Sequence, residues 1–141
     1  MNTLDTSLLT RCTLALARAL DLLLQSAPDS VEYEMYRSAC VKEFEIIIEQ
    51  AGKLLKKALR PYFASLRAAE ALTYKDIFRA AAQHGLMTIA EAERWLMYRD
   101  NRNTTAHDYG VGFAEATVKL LPQFVADATT LATTLHGKPL N

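Results

Sequence analysis

The sequence predicts an all-α protein, an up-and-down bundle of four main helices with one additional short helix. Three observations predict it. Apolar residues recur at three- and four-residue steps through most of the 141 residues, which places them on single helical faces. Helix-start signatures divide the chain at three points. No segment alternates apolar with polar residues as a half-buried strand does.

The first helix is expected from Leu4 to Leu24, with Leu8, Cys12, Ala15, Leu16, Ala19, Leu20 and Leu23 on its apolar face. Pro28-Asp29-Ser30 interrupts the pattern, and Asp29, three residues before Glu32, predicts a capping box. The second helix carries Tyr33, Tyr36, Cys40, Phe44, Ile47, Ile48, Ala51, Leu54, Leu55, Ala58 and Leu59 before Pro61. At 1.5 Å per residue this is a rod of roughly 45 Å. Tyr62 to Leu72 reads as a ragged helix end followed by a connection. Thr73, three before Asp76, opens a short helix from Tyr74 to Gln83, which His84-Gly85 ends because glycine takes the left-handed cap conformation. Thr88 and Glu91 form another capping box and launch a helix with Ile89, Ala92, Trp95 and Leu96 on its apolar face. After Gly110-Val111-Gly112 the last helix buries Phe113, Thr117, Leu120, Phe124, Ala128, Leu131 and Leu135, with a kink expected at Pro122 and a stop at Gly137-Lys138-Pro139.

Residues 1–141 fit one domain, long enough to bury a core without disulfides or metals. The 16 lysines and arginines balance 16 acids, so any polyanion binding has to come from a local patch. Cys12 and Cys40 lie far apart in apolar patterns, without metal-ligand spacing, and read as small buried hydrophobes. No apolar run approaches the roughly 18 residues of a membrane span, and the amino terminus lacks a basic-then-apolar leader, so a cytoplasmic address is expected.

Spacing strikes out several chemistries. A di-metal bundle uses Glu-x-x-His, yet Ala81, Thr104 and Thr133 stand three residues before His84, His107 and His136, so neither metal nor cofactor is expected. Gly110-Val111-Gly112-Phe113-Ala114-Glu115 follows a helix rather than a strand and has Glu in place of the third glycine of a dinucleotide fingerprint; it reads as a hinge. There is no P-loop and no Gly-x-Ser-x-Gly elbow.

What remains is a polar cluster from Arg99 to Tyr109 at the end of an otherwise apolar helix. Trp95, Arg99, Arg102 and Ala106 share one face, while His107 would be rotated about 140° from Arg102 in a perfect helix. Either the helix loosens there, or two chains combine. An imidazole that shuttles protons for 2′-hydroxyl attack and a guanidinium that holds phosphoryl oxygens would together permit metal-free cleavage of RNA. The planar guanidinium matches a phosphate and stays charged. The same cluster also fits a set of solvated ion pairs at a helix end, with a histidine capping carbonyls.

Arg102-Asn103-Thr104-Thr105-Ala106-His107, completed by Tyr109, resembles the Arg-x-x-x-x-His-x-Tyr signature of HEPN domains of the HepT-like kind. The Asp100-x-Arg102-Asn103 flank is similar to that of nucleotidyltransferase substrate-binding proteins of this group, and the resemblance runs from Glu43-Phe44-Glu45 onwards. It implies a HEPN-like bundle that pairs as a homodimer, bringing two motifs together across a cleft. Arg102 and His107 are then the catalytic pair of an endoribonuclease toxin, Asn103 orients the motif or hydrogen-bonds substrate, and Asp100 braces Arg102 or Arg99 or forms a purely structural ion pair. Tyr109 becomes the residue adenylylated by a cognate minimal nucleotidyltransferase, the antitoxin. An added phosphate would compete with RNA for Arg102. The resemblance also admits a non-catalytic subunit that presents substrate to a separate nucleotidyltransferase.

One basic patch stands out. From Gln50 to Ala69 there are Lys53, Lys56, Lys57, Arg60 and Arg67 and no acid, interleaved with Tyr62 and Phe63. Lys53, Lys56, Lys57 and Arg60 are candidates for tracking an RNA backbone. Cations late in a long helix equally complement its dipole.

Overall fold

In a computed structural model, which describes residues 2–105 and 111–140, the protein is helical throughout its regular structure. The elements are α1 (Ser7–Leu24), α2 (Val31–Leu59), a 3-10 turn (Arg60–Tyr62), α3 (Leu66–Glu70), α4 (Tyr74–Gln83), α5 (Ile89–Thr105) and α6 (Val111–Leu135). The long helices α1, α2, α5 and α6 run up and down. Cross-links between Thr6 and His136, and the chain of pairs Arg94–Asp127, Tyr98–Phe124 and Asn101–Thr117, set α1 and α5 antiparallel to α6. Among the described residues no helix is long and apolar enough to cross a membrane.

The buried stripe of α1 is turned from the expected one: Leu9, Cys12, Thr13, Leu16, Leu20 and Leu23 face inward, and Leu8 and Ala15 lie at the surface. Thr13 tolerates burial because its hydroxyl donates to the Leu9 carbonyl at 2.7 Å, leaving no orphaned polar group. α2 follows its predicted stripe, from Cys40 and Phe44 to Leu59. Its cap, however, is Ser30 rather than Asp29: the Ser30 hydroxyl accepts the Tyr33 N–H at 3.1 Å. Glu32 and Glu34 instead sit in the first turn, where their charge meets the positive end of the helix.

Between α2 and α4 the expected ragged connection contains α3, a five-residue helix capped by Ser65, whose hydroxyl accepts the Ala68 N–H at 3.1 Å. Both later capping boxes form. Thr73 and Asp76 exchange bonds of 3.1 and 3.3 Å, and Thr88 and Glu91 bonds of 3.0 and 3.1 Å. α4 ends at His84, and Gly85 takes the left-handed φ of 74°. Ile89, expected inside, is exposed, and the buried face of α5 is carried by Ala92, Trp95 and Tyr98. α6 begins at Val111 and remains helical through Pro122, which lies on its exposed side.

The centre of the core is aromatic. Phe44, Phe78, Trp95, Tyr98 and Phe124 are all buried, with ring centroids 4.6 Å apart for Phe44–Phe124 and 4.8 Å for Tyr98–Phe124 in edge or tilted contacts. Cys12 and Cys40 are buried and free, and burial pushes the Cys40 thiol up to about 11. Two backbone bonds tie the chain ends together, Leu4 N–H to Lys138 O at 2.8 Å and Leu140 N–H to Asn2 O at 3.2 Å.

Candidate functional site

Arg102 stands in the last turn of α5, where the exposed carbonyls of a helix end favour a cation. Its guanidinium crosses to α2 and meets Glu49, with Nη1 3.1 Å from Oε1. One turn earlier, Arg99 lies over the ring of Tyr74, its guanidinium carbon 4.5 Å from the centroid. Tyr74 is held from two further sides. Its hydroxyl donates to the Ile48 carbonyl at 3.1 Å, and its ring packs so closely on Gly52 that an added Cβ would sit 2.8 Å from Cε2. Glycine at position 52 is therefore what admits Tyr74, and through it Arg99, against α2. Burial drives the Tyr74 phenol upward, against the smaller pull of Arg99, so it stays protonated.

Asp100 and Asn103 are exposed on the outer side of the same turns. Asn101 donates from Nδ2 to Thr117 Oγ1 at 2.9 Å and fixes the end of α5 to α6. His107 and Tyr109 lie outside the described residues.

The predicted basic residues gather beside Arg102. Lys53, Lys56, Lys57 and Arg60 line a trough of about 370 Å³ between α2, α3 and α4, floored by Tyr74 and Ile77. Glu49 also lines it, so the trough opens toward the Arg102 guanidinium. The patch is less bare than the sequence implies, because α3 folds back and delivers Glu70, the residue after the acid-free stretch. Glu70 accepts from Arg60 Nη2 at 3.1 Å, and its backbone carbonyl accepts from Lys56 Nζ at 3.2 Å. Beyond Arg60, Tyr62 stacks on His84 at a centroid distance of 4.0 Å and an interplanar angle of 16°.

Two polar clusters lie outside the predicted set. Asp127, on the buried stripe of α6, accepts from Arg94 Nε at 2.8 Å and Nη2 at 2.7 Å, from the Tyr98 hydroxyl at 2.5 Å and from Gln123 Nε2 at 3.3 Å. Burial pushes its carboxyl upward, but the donors and the Arg94 charge outweigh that and hold it below the usual carboxylate range. The signal was available: Asp127 stands three residues after Phe124 and four before Leu131, an acid on the apolar stripe. At the other end of α6, Glu115 accepts from Arg37 Nη1 at 2.9 Å and from the Tyr33 hydroxyl at 3.0 Å. The Arg37 bond is the main reason that its carboxyl lies below its ordinary value.

Residues 8–137 match the model of a family described as nucleotidyltransferase substrate binding protein like. Over 109 residues the chain is 28% identical to a Haemophilus influenzae protein named "Probable ribonuclease HepT", covering 77% of this chain and 73% of that one. A solved Haemophilus influenzae structure, described as the fold of a substrate-binding domain of a nucleotidyltransferase, superposes with a TM-score of 0.78 at 23% identity, over 93% of this chain and 98% of the other. A crystal structure from Thermus thermophilus matches with a TM-score of 0.67 at 28% identity, covering 89% and 98% of the two chains.

Proposed function

Because the chain belongs to the HepT-like HEPN family of nucleotidyltransferase substrate-binding-like proteins, we propose that it is the toxin of a toxin–antitoxin pair, a metal-independent endoribonuclease acting as a cytoplasmic homodimer of single-domain chains. The observation that carries this reading is the coincidence of the Arg102…His107-x-Tyr109 spacing with the similarity to a named ribonuclease. The placement of Arg102 supports it: a guanidinium at a helix end, held by one half-exposed carboxylate that a phosphate can replace.

In the proposed reaction His107 takes the proton of the ribose 2′-hydroxyl as the 2′-oxygen attacks phosphorus. The bond to the 5′-oxygen breaks, that oxygen receives a proton, and a 2′,3′-cyclic phosphate remains. Arg102 holds the non-bridging oxygens as charge builds on them, with Asn103 and Asp100 orienting the motif. The cognate minimal nucleotidyltransferase would silence the site by transferring an adenylyl group from ATP to the Tyr109 hydroxyl, with pyrophosphate leaving. The new phosphate then occupies Arg102.

The test is cleavage of total RNA by the purified chain. Arg102→Ala and His107→Ala should each lower cleavage by more than about 100-fold while the thermal melt stays put. A wild-type chain that cuts no RNA, with His107→Ala equally harmless to a host cell, would overturn the reading. The family description favours a second one, a non-catalytic subunit that presents substrate to the nucleotidyltransferase. It requires copurification of the two and loss of transferase activity when this chain is removed.

A further inference from the structure

The trough beside Arg102 gathers four cations in one concave stretch of surface. Along one flank of α2 it presents Lys53, Lys56, Lys57 and Arg60 against two carboxylates, Glu49 and Glu70. Both carboxylates are engaged with cations that a phosphate chain would also seek: Glu49 with Arg102, and Glu70 with Arg60 and Lys56. Lys53 and Lys57 make no ion pair among the described residues, although the charge of Lys57 is felt at the Asp5 carboxyl. From Glu49 to Arg60 the flank runs about 16 Å at helical rise, and the exposed Tyr62, stacked on His84, follows two residues after Arg60, outside the trough itself.

We infer that this flank is a single-stranded RNA track, which receives the strand flanking the cleaved phosphate, with Glu49 and Glu70 as internal anions that the RNA backbone displaces. The cations take consecutive phosphates, and Tyr62 offers a base a platform at the far end. A single strand is favoured over a duplex because a stacking platform at Tyr62 needs an unpaired base. RNA is favoured over an acidic protein face because a concave trough with a row of cations, whose Glu49 wall pairs with Arg102, matches a chain polymer rather than a flat interface. The inference rests on the ribonuclease reading of Arg102, and its test separates the two.

Binding is measured with a fluorescently labelled single-stranded oligoribonucleotide and the full chain carrying His107→Ala, so that affinity is read without cleavage. Adding Lys53→Gln and Lys57→Gln should weaken binding roughly tenfold and flatten the plot of log affinity against log salt by about 1.4, the value for two phosphate contacts to a single strand. Glu70→Gln should act oppositely and tighten binding roughly threefold. Tyr62→Leu should weaken it roughly tenfold without changing the salt slope. Lysine and Glu70 variants with the affinity and slope of their parent would overturn the track. So would lysine variants that lose the nucleotidyltransferase while still holding RNA. Cleavage by the otherwise wild-type chain is followed in parallel. If it cuts RNA while the variants bind as their parent does, the track alone falls; if it cuts nothing while the lysine variants lose RNA, the ribonuclease reading falls and the track stands.

Discussion

Arg94 and Arg102 stand on α5 about 12 Å apart, and both meet a carboxylate of a neighbouring helix. Their side chains are almost equally exposed, at 34% and 30%, but their partners are not: Asp127 is 4% exposed and Glu49 51%. Arg94 binds Asp127 through two parallel bonds, and Tyr98 and Gln123 complete the shell of the carboxylate. Among the described residues Arg102 makes one ion pair, of 3.1 Å. The carboxylate therefore decides what each arginine does. A buried one has replaced its water with protein donors and becomes a clamp between α5 and α6. A half-exposed one still trades with solvent and leaves its arginine available for a ligand.

The comparison is broken most directly at Asp127. Asp127→Ala leaves the Tyr98 hydroxyl buried without its acceptor and strips Arg94 of both bonds. Removing one member of a buried pair commonly costs about 3–5 kcal/mol. Because Arg94 is one-third exposed and can recover water, the expected cost is about 2–3 kcal/mol, read as a lower urea midpoint at unchanged slope. A loss under about 0.5 kcal/mol would mean that burial of the carboxylate does not distinguish the two contacts.

A smaller effect sharpens the contrast through pH. Burial raises the Asp127 carboxyl and the Arg94 and Tyr98 bonds lower it by more, so its folded pKa lies below its unfolded one. The stabilisation is thus complete above the unfolded value of about 3.9 and is lost as pH falls through the depressed folded value. Glu115, lowered chiefly by Arg37, contributes to the same acid limb. The Asp127 share is the difference between wild type and Asp127→Asn. The stability of the wild type should fall more steeply below about pH 4 than that of the variant. Parallel curves would remove the charge from the account of the clamp.

The same contrast explains what was legible in the sequence. Local chemistry reads well: the Thr73/Asp76 and Thr88/Glu91 boxes and the α2 stripe depend on residues within one or two turns, and all formed. Where two neighbouring residues compete, the pattern is ambiguous by one position, as with Ser30 against Asp29 and Leu9 against Leu8. α3 escapes because five residues are too few to show a period. Long-range polar pairs are hardest to see. Asp127 stands out as an acid on an apolar stripe, but its partners Arg94 and Tyr98 are 33 and 29 residues away in sequence and only the fold brings them to it. The basic stretch reads as unopposed until α3 returns Glu70 to it. At the candidate site the residue types and the helix end were legible, whereas the Glu49 partner of Arg102 was not.

The smallest expected effect is the most telling for Arg102. Glu49→Gln removes the charge that faces its guanidinium but little else, because Glu49 is half in water and its single contact has no further donors to orphan. The stability change should stay under about 0.5 kcal/mol, and Arg102 should remain at the end of α5, where helix carbonyls still favour it. The urea midpoint should therefore hardly move, while an anion offered to Arg102 meets one competitor fewer. A loss as large as that of Asp127→Ala would make Arg102 a second clamp, spent on joining α5 to α2, and a guanidinium committed in that way has nothing left to offer a phosphate.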